Sequence, residues 1–232
     1  MAIDTPAVTS GFLDDVKASL AAWRKAPGLP IVAAGLIVTS GLTASPHGNG
    51  AVLLALFVVG ILSIGWIGTQ LVWYRRAFDG AAMGIDELIQ VTLRFVPRYF
   101  LLLCLPFLLL GAVIAAIAIK SHTLSVLQSP GGRFGVLVYI SIVELIGTFV
   151  VPGLAFSTRK VTQAIPIGLR MLARGWPGNW MYVVVPALVA AAFAGLYFAV
   201  PPRGGLVFNA ISTLVALAFA GAIARYYLRN ES

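Results

Sequence analysis

The sequence predicts an all-α polytopic membrane protein. It reads as six transmembrane helices paired as three hairpins, each preceded by a cytoplasmic amphipathic helix. Three observations carry this prediction. Charge is scarce: of 232 residues, 59% are hydrophobic and 10% charged, with mean hydropathy +0.95, whereas a soluble domain carries about 25% charged residues. The apolar runs approach the roughly 20 residues that cross a bilayer as a helix, and Pro/Gly-rich turns or short polar stretches separate them. The third observation is a signature, Arg24-x-x-Pro27, Arg94-x-x-Pro97 and Arg174-x-x-Pro177, recurring at steps of 70 and 80 residues. Each copy closes an amphipathic stretch and opens an apolar one.

Phe12, Val16, Leu20 and Trp23 form one helical stripe, with Asp14, Asp15 and Lys17 off it. This segment is too charged to span and suits the membrane surface. Pro27, Gly28 and Pro30 end it, and the first, short span follows over 29–44. A turn-rich loop leads to the second span at 51–74, closed by Arg75 and Arg76, with Trp73 and Tyr74 suited to headgroup depth. Ile85, Leu88, Ile89, Phe95 and Val96 make the second amphipathic stripe, and Asp86 and Glu87 favour the positive end of its helix dipole.

The third span covers 99–119 with Pro106 inside it, and a loop at 120–133 holds His122. The fourth covers 134–156, carries Glu144 near its middle and is closed by Arg159 and Lys160. Val161, Ile165, Leu169, Leu172 and Trp176 form the third stripe. The fifth span is 180–200 with Pro186, the sixth 206–227, joined by a Pro-Pro-Arg-Gly-Gly turn. The whole chain is one membrane domain, with hairpin units at about 11–76, 84–160 and 161–229.

Six spans place both termini on one side. Of the 16 Lys and Arg residues, all but Lys120, Arg133 and Arg203 fall on that side. The positive-inside rule makes it cytoplasmic, which predicts a multi-pass protein of the bacterial inner (plasma) membrane. The net charge of +8 and pI near 10.1 then report topology and give no reason to expect nucleic acid. The start of the chain lacks a basic n-region followed by a cleavable apolar run, so the first span is expected to act as the insertion signal.

A shift of 80 residues maps Arg94, Pro97 and Pro106 onto Arg174, Pro177 and Pro186, while the first unit has Leu36 where the others have a second proline. These are parallel repeats, unlike the inverted repeats of many transporters. Ala187, Ala191, Gly195, Ala199 and Ser212, Ala216, Ala220, Ala224 form small-residue stripes suited to packing spans five and six together, or to a dimer face. Gly60, Gly65 and Gly68 suggest another close approach. Pro106 and Pro186 bend their helices, and such bends frame a cavity or shape the bundle.

Glu144 and Asn209 are the candidate intramembrane polar site. An acid at mid-bilayer costs roughly 2.5–3.5 kcal/mol on insertion scales, so it faces the bundle interior and finds a partner. It either contacts an ion, proton or substrate, or is a neutral acid bonded to a neighbour such as Ser63, Tyr139 or Ser212. Asn209 reads first as an interhelical hydrogen bond. Arg24, Arg94 and Arg174 are candidate lipid-phosphate contacts, attracted to an anionic leaflet by about 1 kcal/mol each. His47 and His122 lack carboxylates at metal-binding spacing, and Cys104, the single cysteine, allows no internal disulfide. No metal, cofactor or catalytic residues are expected: nothing supplies nucleophile, base and orienter together, and H-E-x-x-H, G-x-S-x-G and Walker motifs do not occur.

At Tyr74-Arg75-Arg76-Ala77-Phe78-Asp79-Gly80 and Leu93-Arg94-Phe95-Val96-Pro97-Arg98 the chain resembles bacterial six-helix membrane families. One of these is the membrane domain attached to some glycerophosphodiester phosphodiesterases, in which amphipathic cytoplasmic helices likewise alternate with hairpins. The phosphodiesterase catalytic domain is not within these residues, so the resemblance implies no activity. It implies a membrane-embedded accessory or lipid-associated role.

The expected function is therefore a non-catalytic integral membrane protein, an accessory or scaffold subunit or lipid-associated factor. Its expected partners are membrane lipids and other membrane-protein subunits. The alternative is a small transporter or lipid translocator using Glu144 in a midplane cavity.

Overall fold

The computed structural model describes residues 5–43, 50–121, 130–197 and 205–231. Among them there is helix and no strand. In chain order these are α1 (Thr5–Lys25), α2 (Gly28–Thr43), α3 (Gly50–Phe78), α4 (Ile85–Ser121) and α5 (Pro130–Pro152), then a π-helical turn (Gly153–Ser157), α6 (Val161–Gly175), α7 (Trp180–Tyr197) and α8 (Gly205–Asn230). His47, His122, Arg203 and Ala199 lie outside the described residues, and of the loop expected at 120–133 the described ends are helical, 120–121 closing α4 and 130–133 opening α5.

Among the described residues, three stretches are long and apolar enough to cross a membrane: Leu54–Phe78, Ile85–Ala116 and Leu206–Asn230. A fourth crossing arises if α6 and α7, bent by 111° at their junction, count as one broken span. Gly28–Ile37 and Ser141–Ser157 are shorter apolar helices. Leu54, Phe57, Leu108, Leu188 and Val207 are each more than 60% exposed, a surface suited to lipid rather than water.

The packed core occupies one end of the bundle. Tyr74, Leu29, Leu71 and Leu217 join α1, α2, α3 and α8. Phe12, Phe149, Tyr182 and Tyr227 join α1, α5, α7 and α8. Phe95, Tyr99, Val150 and Leu154 join α4, α5, the π turn and α6. Among the described residues, none between 100 and 148, or between 188 and 216, is a buried hydrophobic. The helices are sealed together at the arginine-rich end and loosely packed beyond it.

The repeated signature marks a break between helices in two of its three copies. Pro27 lies in the break between α1 and α2, and Pro177 lies in the bend between α6 and α7. Pro97 sits inside α4, which runs without interruption from the amphipathic stretch into the span. The expected break there is corrected by the packing. Gly65 and Gly68 of α3 form a notch in which Thr92, Phe95 and Tyr99 lie, and this seats α4 against α3 on both sides of Pro97. A Cβ on Gly68 would come within 2.4 Å of the Tyr99 ring, whereas one on Gly60 would meet nothing within 4 Å. Of the three glycines expected at a close contact, two make it.

The first amphipathic helix is also oriented differently from its apolar stripe. Phe12, Asp15, Ser19, Ala22 and Ala26 are the buried face, while Leu13 and Leu20 are exposed. Asp15 is fully buried because α8 supplies two arginines and α7 a tyrosine to meet it. The second and third stripes turn in a similar way: Ile85 and Ile89 on α4 and Leu169 on α6 are exposed, while Thr92, Ala164 and Gly168 are buried. Trp73 and Tyr74 are buried in the core: Trp73 lies against Gly28, and the Tyr74 hydroxyl donates to the Leu217 carbonyl at 3.0 Å.

Two local devices fix element ends near the arginine-rich end. Helix α3 closes with Ala81 N–H on the Arg76 carbonyl and Gly80 N–H on the Ala77 carbonyl, with Gly80 at φ 74°, the paired bonds of a Schellman cap. Asn179, buried, donates from Nδ2 to the Met171 and Leu172 carbonyls at 3.1 Å each. It satisfies carbonyls at the end of α6 that the bend would otherwise leave without partners.

Candidate functional site

Beyond the packed end, the helices border an open apolar cavity of about 1260 Å³. Its walls come from α3, α4, α5, α6, α7 and α8, with Leu102, Pro106, Val151, Pro186, Ala216 and Phe219 among them. Pro106 and Pro186, expected to bend helices, both line it. The Pro106 carbonyl accepts the Tyr139 hydroxyl at 2.5 Å, which ties α4 to α5 across the wall.

The small-residue stripes of α7 and α8 contribute to this space. Ala187, Ser212, Ala216 and Ala220 line the cavity. Aromatic pairs hold α7 and α8 together above and below: Tyr182 with Tyr226 at 4.3 Å between ring centroids, and Phe193 with Phe208 at 5.3 Å. Between these pairs, alanines in place of larger side chains leave room. The stripe is thus not simply the interhelical seam its spacing suggests, because a small side chain facing an open space widens it instead of closing a contact.

Glu144 and Asn209 line this same cavity, but Glu144 is exposed at its open side rather than enclosed in the bundle interior as expected. The three neighbours expected to bond Glu144 are committed elsewhere. Ser63 donates to the Val59 carbonyl, Ser212 to the Asn209 carbonyl and Tyr139 to that of Pro106. Among the described residues, the Glu144 carboxyl has no hydrogen-bond or ion-pair partner, and its backbone carbonyl accepts from Thr148 at 3.0 Å. Gln70, Thr148 and Thr213 complete a sparse polar lining. A few polar groups in a mostly apolar wall are what orient a bound hydrophobic molecule.

A second, smaller cavity of about 530 Å³ lies at the arginine-rich end. Arg94 and Arg98 of α4, Arg159, and Ser157 and Thr158 at the end of the π turn line it. The π turn is closed by Thr158 N–H on the Gly153 carbonyl at 3.0 Å; turns of this kind are frequent at functional sites. The Arg98 guanidinium lies 5.4 Å from the centre of the Phe95 ring, an attractive geometry that steadies it. Among the described residues, none of these three arginines has a carboxylate within ion-pair distance; the pairs that form are Lys17–Asp14, Arg76–Glu87, and Arg225 and Arg229 with Asp15. Glu231 approaches the rim, accepting from Ser157 at 2.6 Å.

Of the three arginines singled out by the repeated signature, Arg94 lines the smaller of these two cavities, and this is not the one that holds Glu144. Arg24 and Arg174 are exposed and line neither. Sequence spacing did not identify Arg98 and Arg159. Arg98 looks like an ordinary membrane flank, and Arg159 joins Arg94 only through the π turn. Among the described residues no group of three His, Cys, Asp or Glu side chains is arranged to hold a metal ion. No protein-family model, curated protein or solved structure matches this chain.

Proposed function

We propose that this chain is a non-catalytic integral membrane protein that holds a membrane lipid, serving as a lipid-associated accessory factor in a membrane assembly. In this reading the six expected segments all cross as three hairpins, with both termini in the cytoplasm. The observation that carries the proposal is the apolar cavity of about 1260 Å³, framed by Pro106 and Pro186 and left open by the alanines of α7 and α8. Ligand pockets commonly measure about 300–1,000 Å³, so this one accommodates acyl chains. The resemblance at 74–80 and 93–98 points to the same kind of role.

Native mass spectrometry of the full chain released from mild detergent tests this. The wild-type protein is expected to carry lipid, and filling the cavity with Ala190→Phe plus Ala216→Phe is expected to reduce retention several-fold at unchanged thermal stability. A wild-type protein recovered bare, or a filled variant that keeps its lipid, counts against the proposal.

A second reading, a lipid translocator or small transporter, is favoured by the Glu144 carboxyl, which lines the cavity without a side-chain partner among the described residues. It predicts that Glu144→Gln slows transbilayer movement of a fluorescent phospholipid in reconstituted vesicles by roughly tenfold, equivalent to about 1.4 kcal/mol on the barrier. An unchanged rate in a well-folded variant removes it.

A further inference from the structure

We infer that Arg94, Arg98 and Arg159, with Ser157 and Thr158, form a binding site for a phosphate-bearing anion. It rests on the lipid reading above for one point only, that the rest of the bound molecule lies in the apolar cavity. The arginines come from two separate elements and converge on one cavity of about 530 Å³. Guanidinium groups match phosphate oxygens in geometry and charge. Among the described residues none of the three pairs with a carboxylate, and Glu231, which accepts from Ser157, pairs with none of them. A cluster of cations without counter-carboxylates favours an external anion more than a scatter of surface arginines does.

The position of the site specifies its ligand further. On three elements the lining of the small cavity adjoins that of the large one within about one helical turn, on α4 directly from a basic residue to an apolar one. Arg98 is followed by Leu102 on α4, Ala155 is preceded by Val151 and Pro152, and Val72 adjoins Gln70 and Leu71 on α3. Tyr99 ties the walls together at this boundary, its hydroxyl donated to the Val151 carbonyl at 2.7 Å. A charged pocket that neighbours an apolar cavity along the same helices fits a phosphate headgroup whose chains run along the bundle toward that cavity. A free phosphate group shares the headgroup chemistry and is the other possible source.

The test uses the full-length protein in nanodiscs of phosphatidylcholine mixed with phosphatidylglycerol, with retained lipid identified by native mass spectrometry. The wild type is expected to prefer phosphatidylglycerol. Arg94→Gln with Arg159→Gln is expected to lower that preference by roughly 10- to 30-fold, while Arg24→Gln with Arg174→Gln, which removes the same charge elsewhere, leaves it intact. No preference in the wild type, or equal loss in both double variants, overturns the site in favour of diffuse surface attraction. Should the glutamine pair fail to fold, Arg94→Lys with Arg159→Lys keeps the charge but not the fork. A several-fold weakening is then expected, and no weakening overturns the site. Resistance of the bound lipid to millimolar inorganic phosphate assigns the site to the lipid headgroup, and displacement assigns it to a free phosphate; both uphold an anion site. If the cavity-filled variant keeps all its lipid while the arginine variant loses its preference, the cavity reading fails and this site stands.

Discussion

Asp15 shows how a single residue can reverse the apparent orientation of a helix. By periodicity it belongs to the polar side of α1, yet it is fully buried, receiving the Tyr182 hydroxyl at 2.6 Å, an ion pair from Arg229, and Arg225 at 3.6 Å. A buried charge is tolerated only when paired and hydrogen-bonded. Those partners lie 167 or more residues away in the chain. Asp15→Ala leaves two arginines facing an apolar alanine. Removing one partner of a fully buried pair costs about 3–5 kcal/mol, and because the arginines are half-exposed we expect roughly 2–3 kcal/mol here. Thermal unfolding in detergent should show the loss, and Asp14→Ala, whose carboxylate is exposed, should show almost none. Equal effects of the two would mean that the network contributes little.

At the scale of elements, the contact of α3 with α4 decides the path of the chain through Pro97. Proline inside a helix removes one backbone hydrogen bond and crowds the preceding turn. Here α4 continues through it, supported by its seat on the glycine notch and by Thr69, whose hydroxyl donates to that of Thr92 at 3.0 Å. Gly68→Val would drive a branched side chain into the Tyr99 and Phe95 rings. Overpacking of this kind costs about 1–3 kcal/mol, so a clear fall in melting temperature is expected for Gly68→Val and little change for Gly60→Ala. If both variants melt together with the wild type, the notch is not what holds α4 in place.

For the whole molecule, the core at one end and the cavity beyond it divide the labour. Three aromatic-rich clusters fasten the helices at the arginine-rich end, and in the proposed lipid reading the remaining lengths border the bound molecule. The six-crossing proposal places that sealed end in the cytoplasm. Fluorescent-protein fusions at the N- and C-termini are therefore expected to fluoresce, and alkaline phosphatase inserted near Arg203 to be active. Phosphatase activity at either terminus would mean an odd number of crossings or the opposite orientation.

The sequence by itself determined that the chain is helical and apolar enough to enter a membrane, because composition and run length depend on the solvent a chain can tolerate and not on its neighbours. It also singled out Glu144, Asn209, Pro106 and Pro186, since a polar group or a proline inside an apolar run stands out without any fold. Tertiary structure alone decided that these four share one cavity, that Arg94 joins Arg98 and Arg159 rather than Arg24 and Arg174, and that Asp15 is buried. Periodicity reports which residues lie on one side of a helix. It does not report which side meets another helix, because that is set by partners distant in the chain, such as Arg229 for Asp15 or Tyr99 for Gly68.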